Sequence, residues 1–487
     1  MGIDWKKEVE ARKDDMFADL FTLLKIDSVR DDSKATEDAP VGPGPKEALL
    51  KFLEIGERDG FITKNVGNLA GHIEYGSGSE TLGVFAHVDV VPVGTGWTHD
   101  PFDPIVKDGR IYARGSSDDK GPGMAGYYAL KIIKELGLPV SKRVRFIIGT
   151  DEESGWKCMD HYLAVEEKPD FGFSPDAEFP IINGEKGILS VYLNFKGDNQ
   201  GAANELVRFD AGLRENMVPQ DASAVVISDE AEKMKSDFFD FVEQHPISGT
   251  CEVADNQVTF TVVGKGAHGM EPRGGINAAT FLATFLTRYA FGGDAKNYLA
   301  VTAKYLHDDS RAHKLALNYV DDVMGDLTMN PGVFTFTPEK GGQIVLNFRF
   351  PQGVTVEGIE SSLTNQLADY GITLSRGKAQ LPHYVPADDP MVKVLLDVYE
   401  KHTGEKGAEK TIGGGTYGRL LERGVAYGAM FPNSIDTMHQ TDEFMAIDDL
   451  VNATIIYADA MYELIKRSEE HLVCRLLLDC LLITRTT

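Results

Sequence analysis

The stretch "LGVFAHVDVV", Leu82–Val91, decides the fold. Its apolar residues run on without the alternation of a half-exposed strand, and the run is too short for a helix of ordinary length. It therefore reads as a buried strand. Working outward, "VRFII" (Val144–Ile148) is a second such strand and Phe171–Ser174 a short third, with a late one at Val425–Phe431. Between the first two, Met124–Leu136 places apolar residues at helical spacing. Apolar strands separated by helices predict an α/β domain whose mostly parallel sheet carries helices on both faces.

From about Gly187 the texture changes. Leu189–Phe195 ("LSVYLNF") and Val258–Val263 ("VTFTVV") alternate as half-exposed antiparallel strands do, among amphipathic helices at Glu230–Glu243 and Asn277–Tyr289. Near Pro382 the first texture resumes, with a helix at Met391–His402, the turn "IGGGTYGR", a helix to Glu422 and a last long helix from about Asp448. The expected organisation is a catalytic domain in two parts, 1–186 and 383–467, interrupted by an inserted α+β lid domain at 187–382. The tail 468–487, with two of the four cysteines and a leucine-rich patch, is either an oligomerisation helix or sequence foreign to the native fold, and we read it as the latter.

Composition narrows the function classes. Among 487 residues, 75 acids stand against 49 basic residues, a formal net charge of −26, which opposes nucleic acid and anionic membrane partners. No run of 18 apolar residues and no secretory leader is visible, and the scattered cysteines form no CxxC pair. The expected setting is cytoplasmic.

Several strand ends carry metal-type side chains, and in open α/β sheets ligands bind beyond the carboxyl ends of the strands. His87 and Asp89 lie two residues apart, on one side of an extended chain. "GSSDDKGPG" holds Asp118, Asp119 and Lys120 before a helix, and "GTDEESG" holds Asp151, Glu152 and Glu153. "SPDAE" contributes Asp176 and "NSIDTMHQTDE" contributes His439. Taken singly, each has an ordinary explanation: a helix cap, a solvated loop acid, a surface histidine. Together, on loops that the fold rule brings to one edge, they match the donors preferred by Zn²⁺, Mn²⁺ or Co²⁺ at a catalytic site.

In this order, "HVDVVP", "GSSDDKGP", "TDEESG", "SPDAE" and "MHQTDE" resemble the M20 family of metallopeptidases. "IINGEKG", "GGGTYGR" and "HYVPADDPM" further resemble its PepV-type dipeptidases, Xaa-His or carnosinase-like. The resemblance implies two divalent ions, zinc first with manganese or cobalt as alternatives, sharing a bridging water. His87 and Asp176 would bind one ion, Glu153 and His439 the other, and Asp118 both. Asp89 would orient the imidazole of His87, and Glu152 would be the general base. In the lid, His268 of "GKGAHGMEP" would stabilise the oxyanion. Asn216 of "ENMVP" and Arg349 of "LNFRFPQG" would contact the substrate, and the backbone of Gly414 and Gly415 would help hold a carboxylate. The implied activity is hydrolysis of unblocked dipeptides by a chain that can act as a monomer. The alternatives are an M20-type deacylase or aminoacylase taking N-acyl amino acids, and a metal-binding relative without catalysis. Asp151 receives no role from motif or resemblance.

Overall fold

The computed structural model describes residues 2–199 and 201–466, so the tail from Ser468 lies outside the described residues. The chain divides into two compact units. One comprises residues up to Gly184, Tyr384–Lys410 and the chain from Gly415 onward; the other comprises Glu185–His383 and Thr411–Gly414.

The first unit is built on a six-stranded sheet. Across it run Ile62–Val66, Ala70–Tyr75, Arg143–Gly149, Thr81–His87, Phe171–Ser174 and Gly424–Ala426. The last four are mutually parallel, and the first two form an antiparallel hairpin at one side. The strand read at Leu82–Val91 ends at His87, opposite Gly149, where its neighbour also ends.

Side-chain alternation sorts the two faces. Leu82, Val84 and Ala86 join Val144, Phe146 and Ile148 in the large core, which also takes residues of helices Pro43–Arg58, Lys120–Glu135, Pro390–Thr403 and Ile447–Ile465. Phe85 and Ile147 point to the other face, into a smaller cluster with Cys158, Met159 and Tyr162 of helix Lys157–Val165. Helix Lys120–Glu135 is buried almost along its whole length, which explains its unusually small and apolar composition.

Two sequence expectations are corrected here. Val425–Phe431 is not one strand: it breaks into Gly424–Ala426 and Ala429–Met430. Between them Gly428 takes φ 77°, and a Cβ at that position would meet the Phe179 ring at 2.4 Å, so the chain must swerve at a residue without one. The helix expected up to Glu422 is only a four-residue 3₁₀ turn, Tyr417–Leu420. Gly418 lies directly against the backbone of Val425, which leaves no room for a wider helical turn.

The second unit is α+β. Its eight-stranded antiparallel sheet runs in the order Ser248–Ala254, Gln257–Val263, Asp221–Ser228, Asn204–Ala211, Thr328–Thr337, Gly341–Phe350, Gly187–Phe195 and Thr373–Arg376. Helices Ala231–Glu243, Ala278–Leu286 and Gly293–Val301 contribute to its phenylalanine-rich core.

One buried titratable group in the first unit gives the fold a pH signature. His72, in strand Ala70–Tyr75, is 4% exposed, and its Nδ1 pairs with the Tyr162 hydroxyl at 2.8 Å. Burial, with Arg145 nearby, holds its pKa down to about 4 from 6.5. Above pH 6.5 the imidazole is neutral whether folded or unfolded. As pH falls towards 4 only the unfolded chain gains the proton, so stability is lost across that window, by up to about 3 kcal/mol. Urea midpoints measured from pH 7 to 4.5 should fall less steeply in His72→Gln than in the wild type.

Candidate active site

The carboxyl ends of three adjacent parallel strands place the first donors. His87 is the final residue of its strand, Asp151–Glu153 follow Gly149 and Asp176 follows Ser174. Asp118 precedes helix Lys120–Glu135, and His439 stands on the loop before strand Phe444–Ala446. The fold brings these side chains to one place. His87 Nε2 lies 3.1 Å from Asp118 Oδ1 and 3.5 Å from Asp176 Oδ2. His439 Nε2 lies 2.9 Å from the other Asp118 oxygen and 3.2 Å from Glu153. Asp118 thus faces both imidazoles, one oxygen toward each. Donor atoms of His87, Glu152 and Asp176 lie within 4.8 Å of one another, as do those of His87, Asp118 and Glu153.

The charge balance of this cluster is unusual. Four carboxylates, Asp118, Glu152, Glu153 and Asp176, meet the two imidazoles. Burial, followed by the neighbouring Asp176, holds the Glu152 carboxyl far above the usual carboxylate range. Burial and Asp118 push Glu153 up to about 7, and the same two causes raise Asp176. In Asp118 burial works in the same sense, but hydrogen bonds from His439 and His87 prevail and lower it. His439, bonded to Asp118 and Glu153, is raised to about 11. Carboxylates crowded out of water gain most from a compact positive charge, and these nitrogen and oxygen donors suit a divalent cation. On that chemistry the residues suit a divalent metal, and Asp118 presents an oxygen to each imidazole.

Main-chain anchors hold the acids. Asp89 accepts from the Glu152 amide through Oδ1 and from the Glu153 amide through Oδ2, both at 3.1 Å. The oxygen nearest His87 Nδ1 is the main-chain carbonyl of Asp89, at 2.9 Å, with its carboxylate at 3.4 Å. Asp89 therefore contacts both the imidazole and the acidic loop. The Trp156 indole donates to the Glu152 carbonyl at 2.8 Å, so Glu152 is gripped on either side of its Cα. Asp151 is fully buried; it accepts from Arg30 Nη1 at 2.7 Å and from the Lys157 amide at 2.9 Å, tying the loop to helix Lys157–Val165. Asp119 accepts from the His87 amide at 3.1 Å. The buried Lys120 ammonium donates to the Leu23 and Ile26 carbonyls. Sequence reasoning missed Arg30 and Glu443, whose side chains bond Asp151 and the Asp118 amide across 121 and 325 positions, and Trp156, whose indole bonds a main-chain carbonyl.

The remaining candidates are described within the second unit, except Gly415. Gly269 donates to the Asn216 carbonyl at 2.7 Å, and Met217 bridges His268, so Asn216 and His268 are neighbours. His268 is exposed, and its Nδ1 accepts from the Met270 amide at 3.1 Å. Asn330, also unforeseen, donates from Nδ2 to the carbonyls of Glu215 and Met217, bracketing Asn216. Arg349 is buried, donating from Nη1 to the Gly413 carbonyl at 2.7 Å and from Nε to Asn347 at 3.1 Å. Gly413 in turn lies against Met270, which puts the glycine turn, Arg349 and the His268 segment in one neighbourhood. Gly414 and Gly415 are half-buried; no regular α-helix follows them.

The partly buried ion pair that anchors this loop has a measurable value. Arg30→Ala leaves the Asp151 carboxylate without its cation, and urea unfolding should show a loss of about 2 kcal/mol.

Comparison with known proteins identifies the family. Residues 83–463 match Peptidase family M20/M25/M40. A Staphylococcus epidermidis protein named "Putative dipeptidase" is 45% identical over 464 residues, covering 94% of this chain and 99% of the relative. Among solved structures, human carnosine dipeptidase 1 superposes with a TM-score of 0.54 at 14% identity, over 94% of this chain and 97% of that one. Aminoacylhistidine dipeptidase from Vibrio alginolyticus gives 0.54 at 15% identity, over 93% and 97%. At such identities the two structures share the fold alone.

Proposed function

This chain belongs to peptidase family M20/M25/M40 and is a peptidase, and on that premise we propose that it hydrolyses unblocked dipeptides with two divalent ions. The observation that carries the proposal is the convergence of two histidines and four carboxylates at one sheet edge, with Asp118 between the histidines. The name borne by the 45% identical relative supports dipeptides as the substrate class.

His87 and Asp176 would hold one ion, Glu153 and His439 the other, and Asp118 both; zinc is the first candidate, and the donor set serves manganese or cobalt as well. Such ions, when bound, polarise the scissile carbonyl and bring the ionisation of water towards neutral pH.

The chain's own part centres on Glu152. Its position is set by Asp89 at its amide and Trp156 at its carbonyl, which leaves the side chain to move a proton. Glu152 takes the proton from the attacking water and delivers it to the departing amine, so one carboxyl serves both halves of the reaction. Asp89 keeps the acidic loop and the His87 imidazole in a fixed relation. His268 supplies a hydrogen bond to the oxyanion, and Asn216, Arg349 and the backbone of Gly414 and Gly415 hold the free carboxylate of the peptide. The second unit thereby acts as the lid domain. A guanidinium suits that carboxylate because it can bind both oxygens. Among the described residues no helix is long and apolar enough to cross a membrane. We place the enzyme in the cytoplasm as a monomer, in keeping with its acidic charge and its single-chain lid.

Three measurements test this reading. Glu152→Gln should retain both ions by elemental analysis and lose about 10²–10⁴-fold in kcat; near-normal turnover rejects the base assignment. Exhaustive chelation should abolish hydrolysis of Ala-His and Leu-Leu, and Zn²⁺, Mn²⁺ or Co²⁺ should restore it. On the same panel N-acetyl and N-succinyl amino acids should be untouched, and their cleavage in preference to dipeptides would make the enzyme a deacylase.

A further inference from the structure

Glu443 ends the motif that carries His439, and its side chain is wholly buried. Among the described residues five donors hydrogen-bond to its carboxylate. Arg114 Nη1 at 2.7 Å and the Gly115 amide at 3.0 Å approach Oε2. The Ser117 amide at 2.9 Å, the Ser117 hydroxyl at 3.0 Å and the Asp118 amide at 3.2 Å approach Oε1. The main chain adds a sixth tie, because the Glu443 carbonyl accepts from the Ala113 amide at 3.1 Å. The last of these donors, the Asp118 amide, belongs to the residue whose two carboxylate oxygens face His87 and His439.

The loop that Glu443 closes needs such an anchor. His439 is 56% exposed at its side chain, so packing alone does not hold it. His439 and Asp442 both adopt left-handed backbone, φ 61° and 57°, which residues with a side chain rarely take unless their surroundings impose it. Asp442 is secured by the Thr98 amide and hydroxyl at 2.9 and 3.1 Å, and the next residue, Glu443, is locked beneath Asp118.

From this juxtaposition we propose that Glu443 is a positioning residue that joins the Asp118 loop to the His439 loop, so that the donors of the second ion are presented as one set. Its carboxylate oxygens are engaged by protein donors. The inference rests on the two-ion reading above. The requirement is for a carboxylate: five donors converge on two oxygens, and a glutamine would turn its amide hydrogens toward either Arg114 and Gly115 or Ser117 and Asp118. An aspartate keeps the charge but falls one methylene short.

Calorimetric titration of Zn²⁺ into the metal-free full-length chain tests the assignment, alongside thermal unfolding of each metal-free protein. The variants are Glu443→Gln, Glu443→Asp and Ser117→Ala. Wild type should take up two ions. Glu443→Gln should lose about 10-fold or more in affinity for one of them while holding the other near the wild-type value, the size expected when a group supporting a ligand is removed. Glu443→Asp should recover part of that loss. Ser117→Ala, which deletes one donor and no charge, should show a smaller loss at the same step with cooperative unfolding retained. If Glu443→Gln does not unfold cooperatively, the Ser117→Ala and Glu443→Asp titrations decide. Folded variants with both affinities unchanged, or with both weakened equally, overturn the positioning role. A wild type that binds fewer than two ions overturns the two-ion reading itself, a failure visible before any variant is compared.

Discussion

Four carboxylates gathered within a few ångströms, largely out of water, are the constraint around which the first unit is arranged. Like charges in that setting repel strongly, and burial favours the protonated form of Glu152, Glu153 and Asp176, while bonds from His439 and His87 keep Asp118 ionised. Among the described residues two imidazoles face them, while Arg30 is engaged by Asp151, Arg114 by Glu443 and Lys120 by main-chain carbonyls. A site left this short of positive charge costs the fold stability unless cations bring it, so the electrostatic deficit and the proposed chemistry are one feature.

Holding such a cluster together falls mainly to the backbone. Asp89 grips two successive amides of the acidic loop, Asp119 accepts from the amide of His87, and Glu443 collects the amides beneath Asp118. These acids carry no metal role in the proposed reaction, yet they fix the angle from which each donor approaches. Preorganisation of this kind keeps like charges close before any counter-charge arrives, which isolated loop acids would not do.

The second unit solves a simpler problem. Its antiparallel sheet and phenylalanine core stiffen a platform that carries the buried polar residues Asn330 and Arg349. Asn330 braces the Asn216 segment and Arg349 is drawn to the Gly413 carbonyl, so polar atoms that could wander in a loop are tied to strands. A guanidinium buried and engaged by the Gly413 carbonyl and the Asn347 side chain is already oriented, which would lower the entropy lost on taking the proposed carboxylate.

The sequence alone determined the alternation of buried strands and helices and the interruption by a unit of different texture, and it singled out His87, Asp118, Glu152, Glu153, Asp176 and His439, whose side chains the fold brings together. These are local signals: apolar periodicity and short motifs survive in one dimension because neighbours in the chain generate them. It misread the segment after Gly415 as a helix, because packing of Gly418 against Val425, seven residues on, overrides local propensity. Only the tertiary structure could give Asp151 its partner Arg30, 121 positions away, or show Glu443 under a loop 325 positions earlier. Hydrogen bonds of that span leave no period and no spacing in the sequence. They are decided by which strand ends the sheet topology brings side by side.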